Sequence, residues 1–407
     1  MSTPPLAGLK VLELARILAG PWAGQVLADL GADVIKVERT GAGDDTRAWG
    51  PPFVTDVHGE RLDSAYYHSC NRGKRSIAID FEQPQGQEIV RKLALASDVL
   101  IENFKVGGLV KYGLDYASLA AVNPRLIYCS ITGFGQSGPY AKRPGYDFMI
   151  QGMGGIMDLT GTPGGEPMKI GVAMADIFTG LYGVVAIQAA LAARERTGRG
   201  QHVDMALLDT QVSVLANQGV GYLVSGKATT RMGNAHPNIV PYQVFPTADS
   251  HIIIATGNDR QYVDVCRILG VPELATDPRF KSNADRVRNR DTLMPLLFER
   301  SRLQTKAALL ESLEAANVPA GPINSLPEVF ADRQVVARGL RLDLPASDAA
   351  VGSVPSVRAP FVLSDTPASY THAAPRHAEH TREVLSGLGY DVNELQRLED
   401  AGVIDVR

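Results

Sequence analysis

Cysteine is nearly absent. Among 407 residues there are three, Cys70, Cys129 and Cys266. They form no CxxC pair and no metal-ligand spacing, so neither a disulfide framework nor a metal centre is expected. An odd, sparse set of thiols suits a reducing cytoplasm. None lies in a polar, thiolate-stabilising context, which argues against a cysteine nucleophile. An excess of one charge is also lacking. Forty Lys and Arg face 44 Asp and Glu, for a net charge of −4. Nothing therefore favours nucleic acid or an anionic membrane, although a local basic patch could hold a small anion. Long apolar runs are missing too. "LYGVVAIQAALAA" is short for a membrane span and ends in "RERTGRG". The N-terminus, "MSTPPLAGLKV", has no basic region followed by an apolar one, so no signal peptide is expected.

Two glycine signatures are absent as well. The first candidate site loop offers only Gly20 and Gly24 instead of G-x-G-x-x-G, which disfavours a dinucleotide-dependent dehydrogenase. The glycine-rich stretch 151–171 has no Lys-Ser/Thr ending and leads into no phosphate-cradling helix. Turns are the simple reading of it, and a mobile segment beside a site is the other.

What is present is an ordinary globular composition, 45% hydrophobic and 21% charged, in a chain long enough for two or three domains. "GLKVLELA" (8–15) predicts a strand, 19–32 a helix and "DVIKVER" (33–39) a second strand. The pattern recurs, with strands at 76–81, 98–104 and 126–135 and a helix at 84–97. Repeated strand–helix–strand units imply an open α/β parallel sheet, with site loops beyond the carboxyl ends of its strands. A helix over 175–196, a strand and one further long helix follow. From about 225 to 325 the character changes to a smaller α+β domain. "YQVFPTADSHIIIATGN" alternates like a hairpin, and a helix opens on an N-cap at Thr305. "VPAGPINSLPEV" reads as a return linker, and "SDAAVGSVPSV" as a surface loop. The expected division is therefore 1–215 for the first part of the large domain, 225–325 for the small domain, and 330–407 for a segment returning to the large one.

Few residues stand out chemically. Arg72, Lys74 and Arg75 cluster in "NRGKRS", either a solvated loop or a site for a phosphate or diphosphate. Arg39, at another sheet end, could join it. His236 precedes a proline in "GNAHPNIVPYQ", as a loop residue or a base. Asp204 and Asp209 read as a turn and a helix cap. Asp176 is the lone carboxylate of "GVAMADIFTGLYGVVAIQAAL". It can cap the helix it opens, where the dipole favours negative charge. It can equally be a poorly hydrated, ionised nucleophile. The two readings differ in where the side chain points.

Several segments together resemble the family III CoA-transferases, the superfamily of formyl-CoA transferase, carnitine-CoA transferase and α-methylacyl-CoA racemase. They are "LELARILAGPWAGQVLADLGADVIKVER", "GDDTR", "NRGKRSIAID", "IENFKVGGLVKYGLDY", "NPRLIYCSITGFGQSGPY", "PGYDFMIQGMGG", "MADIFTGLYG", "RTGRGQHVDMALLD" and "EHTREVL". The resemblance spans nearly the whole chain. It implies that Asp176 attacks an acyl-CoA, passing through an aspartyl anhydride and an aspartyl-CoA thioester. It carries coenzyme A contacts to Arg16, Ile17, Leu18 and Ala19, to Arg39, and to Ile79, Asn103, Phe104, Gly108 and Lys111. Coenzyme A is then a substrate, and no cofactor is tightly bound.

Two departures bear on the substrate. Leu18 stands where formyl-CoA transferases carry a gating glutamine, and Lys111 replaces an arginine. The glycine-rich gating loop also has no counterpart. "RMGNAHPNIVPYQVF" occupies its region, with His236, Asn238 and Tyr242 as expected acceptor contacts. Subgroup resemblance points to succinyl-CoA as donor and to a dicarboxylate such as succinate or glutarate. The alternatives are a 2-methylacyl-CoA racemase and a non-catalytic CoA-binding protein. Tyr146 stands in the racemase histidine position, and a phenol is a poor base at neutral pH. The resemblance further implies a Rossmann-like large domain in a ring-shaped subunit, two of which interlock as a homodimer.

Overall fold

The computed structural model describes residues 3–407. They form two compact units. The first comprises residues up to Ile156, Ile170–Gly221 and Gln334–Arg407, and the second Met157–Lys169 and Tyr222–Arg333. The short segment 157–169 groups with the second unit, which the sequence pattern does not signal.

The first unit is built on one sheet. β1 (Lys10–Glu13) is followed by α1 (Ala19–Asp29) and β2 (Asp33–Glu38). A hairpin of β3 (Phe53–Thr55) and β4 (Arg61–Ser64) runs into α2 (Ala65–Cys70). Then come β5 (Arg75–Ile79), α3 (Pro84–Leu95), β6 (Val99–Glu102), α4 (Tyr116–Val122) and β7 (Ile127–Thr132). Two short helices, α5 (Asp147–Met153) and α6 (Ile156–Leu159), precede the long α7 (Met174–Thr197) and β8 (His202–Ala206). The sheet order is β14-β5-β2-β1-β6-β7-β8, where β14 (Ile404–Asp405) is an antiparallel edge strand and the rest are parallel. The order reverses between β1 and β6, the topological switch point beyond whose carboxyl ends such sheets bind their ligands. Leu12, Ile77, Val99, Leu100 and Ile101 are fully buried, as expected of strands covered on both faces.

The second unit holds the hairpin β9 (Tyr242–Pro246) and β10 (His251–Ala255), joined antiparallel to β11 (Ala320–Pro322). Helices at Asp259–Ile268, Arg290–Ser301 and Lys306–Ala315 cover it around Phe245, Ile252, Ile254 and Leu309. Thr305 caps the last of these, as its sequence predicts.

Four local expectations need correction. The "VPAGPINSLPEV" linker contributes β11, because its Ala320 and Pro322 pair with β10. The "SDAAVGSVPSV" loop contains β13 (Ser353–Val357), which pairs with β12 (Arg341–Pro345). The long helix after β8 is two helices, Leu207–Ser213 and Ala216–Ser225, broken where Ala216 takes φ 47°. Finally, the apolar run at 181 belongs to a 24-residue helix that is long and apolar enough to cross a membrane. Its Thr179, Gly180, Gly183, Val184 and Ile187 are buried, and it packs on α1 and the sheet.

Candidate active site

Asp176 lies in the first turn of α7, but it is not the cap. The N-cap position is Ala173, which offers no side-chain bond. The helix is capped from outside, by Asp147 in the first turn of α5. Asp147 Oδ1 accepts from the backbone amides of Ala175 at 2.7 Å and Asp176 at 3.3 Å, and Oδ2 accepts from Gln151 at 2.7 Å. Two glycines make this docking possible. Gly133, just after β7, and Gly145 approach so closely that a Cβ on Gly145 would lie 2.4 Å from the Gly133 Cα. The segment carrying Tyr146 and Asp147 can therefore lie flat on the end of the sheet.

With the cap supplied by Asp147, the Asp176 carboxylate accepts no hydrogen bond from any described residue. It is half-buried. Burial first, and the Asp147 charge second, push its pKa up to about 7. This is a carboxylate kept short of solvation and of donors, as a nucleophile requires.

Tyr66, on α2, is the neighbour that the sequence did not flag. Burial raises its phenol to about 12, with further contributions from Asp176, the Cys70 thiol and Asp147. Trp49 packs edge-on against it with ring centroids 5.4 Å apart. Asp147 was likewise missed. A second acid 29 positions from the first, in a different helix, carries no sequence signal of proximity.

The first loop reaches the same place. Gly180, one turn after Asp176, faces α1, and a Cβ there would lie 2.6 Å from the Ala19 carbonyl oxygen. Leu18 and Ala19 are therefore pinned against α7, and both are buried. Gly180→Ala should force α7 and α1 apart. The expected loss is about 1–3 kcal/mol of stability, read as a lowered Tm, with slower turnover.

The expected nucleotide contacts divide. Asn103, after β6, grips Arg16 after β1 across the switch point. Its Oδ1 accepts from the Arg16 amide at 3.0 Å, and its Nδ2 donates to the Arg16 carbonyl at 2.7 Å. Arg16 and Arg39 converge on the two oxygens of Asp45, and both guanidiniums are more than half exposed. Phe104 packs edge-on against Phe81, the Gly108 amide donates to the Lys105 carbonyl, and Lys111 lies exposed over the Tyr112 ring. Arg16, Ile17, Leu18, Ala19, Arg39 and Asn103 thus gather at one sheet end.

Other expectations are corrected. Arg72 is buried, and its guanidinium donates to both oxygens of Asp29 at 2.8 and 2.6 Å. Lys74 is 0% exposed, and its ammonium is saturated by Glu13, the Pro21 carbonyl and Asn71. Arg75 spends its guanidinium on Asp33 and Glu383. The "NRGKRS" charges are therefore engaged in ion pairs, buried for Arg72 and Lys74 and partly exposed for Arg75. Ile79 is 1% exposed in the sheet, so its side chain is core. Asp204 accepts from the Gln136 amide and steadies the loop after β7, while Asp209 caps nothing because the N-cap is Ala206.

Tyr146 is exposed at the N-cap of α5, beside Asp147. In the second unit, His236 accepts from the Asn238 amide through Nδ1 at 3.1 Å, and its ring meets that of Tyr242 at 5.1 Å. Those three residues form one local cluster. Among the described residues, no group of three or more His, Cys, Asp or Glu could hold a metal ion.

Comparison with known proteins decides the class. Residues 6–381 match the family described as CoA-transferase family III. The chain belongs to that family. This family III chain is 57% identical to the succinate–glutarate CoA-transferase of Agrobacterium fabrum, over 95% of its own length and 96% of the relative's. It is 43% identical to the human succinyl-CoA:glutarate CoA-transferase, over 98% and 90% of the two lengths. A crystal structure of a CAIB/BAIF family protein from Brucella suis superposes with a TM-score of 0.85 at 59% identity, covering 95% of this chain and all of that one. The family III chain is thus an enzyme, a CoA-transferase, with CoA thioesters as its substrates.

Proposed function

We propose that this enzyme moves coenzyme A from succinyl-CoA to a second dicarboxylate, glutarate being the first candidate, with Asp176 as the covalent nucleophile. The observation that carries the reading is the undercommitted carboxylate. Asp176 sits at the mouth of a helix whose capping is done by Asp147, so its oxygens are left for a substrate. The names of the relatives support the dicarboxylate pair.

The chemistry follows from the group. One Asp176 oxygen attacks the thioester carbonyl. The tetrahedral oxyanion collapses, the C–S bond breaks, and CoA thiolate leaves an acyl-aspartyl anhydride. The thiolate then attacks the Asp176 carbonyl, releasing succinate and leaving an aspartyl-CoA thioester. The acceptor carboxylate attacks that thioester, expelling CoA thiolate and forming a second anhydride, and the thiolate then attacks the acceptor's acyl carbon, giving the new acyl-CoA and freeing the Asp176 carboxylate. Each intermediate is an activated acyl species, so no nucleotide hydrolysis is needed. Water must be excluded, because either intermediate hydrolyses. Backbone amides at the start of α1 and the Tyr66 hydroxyl are candidate donors to the developing oxyanion.

Arg16, Ile17, Leu18, Ala19, Arg39, Asn103, Phe104, Gly108 and Lys111 are assigned to the coenzyme, and Tyr146, His236, Asn238 and Tyr242 to the acids. Two chains form the working molecule, as interlocked rings. The support is an apolar stripe left uncovered on α7, where Phe178, Leu181, Tyr182 and Val185 recur at helical spacing and are all exposed. Three buried, unpaired cysteines support a reducing compartment, the cytoplasm.

The test is incubation with succinyl-CoA and a panel of acids, read by mass spectrometry of the CoA products. Glutaryl-CoA formation is expected. Deuterium entering Cα of a chiral 2-methylacyl-CoA without any acceptor would instead indicate the racemase chemistry.

The titration of Asp176 gives a second check. The nucleophile must be ionised, so kcat/KM should rise with pH through about 7. Asp147→Asn keeps the oxygen that caps α7 and removes the negative charge. Asp176 then ionises more readily, and the acid limb should move to lower pH.

A further inference from the structure

The "GDDTR" motif is not absorbed by the mechanism, and its first aspartate turns inward. Asp44 is buried. It ends in a position where its carboxylate meets the one strained residue of the first loop. Ile17 has φ 74°, in the left-handed region, where a β-branched side chain is an outlier. Such a conformation persists only when its surroundings over-determine it.

The surroundings do so atom by atom. The Ile17 amide donates to both Asp44 oxygens, at 3.2 and 3.4 Å. The Ala15 carbonyl accepts from Lys36 Nζ at 2.8 Å. Asn103 holds both backbone groups of Arg16. Asp44 is itself anchored. Lys36 Nζ lies 2.9 Å from its Oδ2, and the Thr46 amide and hydroxyl donate to its Oδ1. Lys36 in turn pairs with Glu13 at 3.1 Å, its register partner across β1 and β2. Burial opposes charge on Asp44, but Lys36 and the Thr46 donors hold its pKa down at about 2, so the acceptor is a full anion. The next residue, Asp45, faces outward and gathers Arg16 and Arg39. Adjacent acids therefore serve the inside and the outside of the same loop.

We propose that Asp44, charged and fixed through Lys36 and Glu13, is a positioning residue for acyl-CoA: it holds Ile17 in the strained form that presents residues 16–19 to the coenzyme. This rests on the assignment of that loop to CoA under Proposed function. Asp44 touches no substrate. It acts by making the loop ready before the ligand arrives, so its loss should appear as ordering cost on one substrate only.

The test is a double-mutant cycle between Asp44→Asn and Ile17→Gly, with steady-state kinetics in both substrates. An asparagine cannot serve Lys36 and the Ile17 amide with the same two acceptor atoms. Asp44→Asn should raise KM for the acyl-CoA by roughly tenfold and leave KM for the acceptor acid within about twofold. Glycine adopts positive φ without help. In the Ile17→Gly background the same change should therefore cost no more than about twofold. A merely structural Asp44 would lower Tm equally in both backgrounds and move neither KM selectively, and that result overturns the proposal. Should Asp44→Asn alone fail to fold, the comparison of Ile17→Gly with the double variant still decides. A tenfold acyl-CoA penalty persisting there counts against strain holding. Hydrogen exchange of the wild-type enzyme with and without CoA separates the two readings. Protection absent from 15–19 removes the loop assignment, and the positioning role with it. Protection present, with unchanged KM in Asp44→Asn, removes the positioning role alone.

Discussion

Replacing Asp176 by asparagine should lower transfer by about 10⁴-fold or more, because the other carboxylate beside it, Asp147, is committed to the amides of α7 and to Gln151. Asparagine keeps the size of the side chain and removes the attacking oxygen anion. Hydroxylamine or borohydride added during turnover of the wild type should modify a peptide containing Asp176, and the variant should give no such adduct. A label on a different carboxylate would move the site. Full activity in the variant would leave Asp176 an ordinary first-turn acid.

Stability separates the same alternatives. Asparagine caps a helix about as well as aspartate, so a capping Asp176 would give a variant of nearly unchanged stability. The geometry predicts a gain in stability at neutral pH and above. Burial raises the folded-state pKa of Asp176 from 3.8 to about 7, so folding favours the protonated form. The cost of the ionised form is absent below pH 4 and grows as pH rises towards 7. Asp176→Asn should therefore match the wild type in Tm at pH 4 and exceed it at pH 8. A gain in stability on removing this carboxylate is the expected signature of a site held under electrostatic strain.

The sheet was legible in the sequence because its strands are short, apolar and separated by helices with clear periodicity. β1, β2, β5, β6 and β7 fall where strand–helix alternation places them. β11 and β13 were not legible. Both contain proline beside small residues, which reads locally as a loop, and both are strands only because β10 and β12 offer them a partner. The candidate site was legible in part. Asp176 stood out as an acid amid apolar residues. Its freedom did not, since that depends on Asp147 reaching over from α5. Likewise "NRGKRS" looked like an anion site because Arg and Lys have the right chemistry for one. Only tertiary structure reveals Asp29, Glu13 and Asp33 waiting for them from α1, β1 and β2.

That correction carries the second large effect. Lys74→Met should destabilise the protein by about 3–5 kcal/mol, with Tm falling by on the order of 10 °C. The ammonium is sealed from water, and Glu13, the Pro21 carbonyl and Asn71 Oδ1 all depend on it. Methionine fills the space but leaves the buried Glu13 carboxylate to Lys36 alone, and removes the donor that Asn71 Oδ1 accepts from. Adding Glu13→Gln should recover part of the loss, because the uncompensated charge goes with it. A phosphate-binding Lys74 predicts the reverse pattern, an unchanged Tm and a raised KM for acyl-CoA. Calorimetry and kinetics on one variant therefore distinguish a structural cation from a ligand cation. The site side of the sheet has its own cations in Arg16 and Arg39, which the fold leaves exposed. Lys36 and Lys74 are kept behind them on Glu13, where the first holds the Ala15 carbonyl of the loop and the Asp44 carboxylate, and the second ties the Pro21 carbonyl of α1 to Asn71.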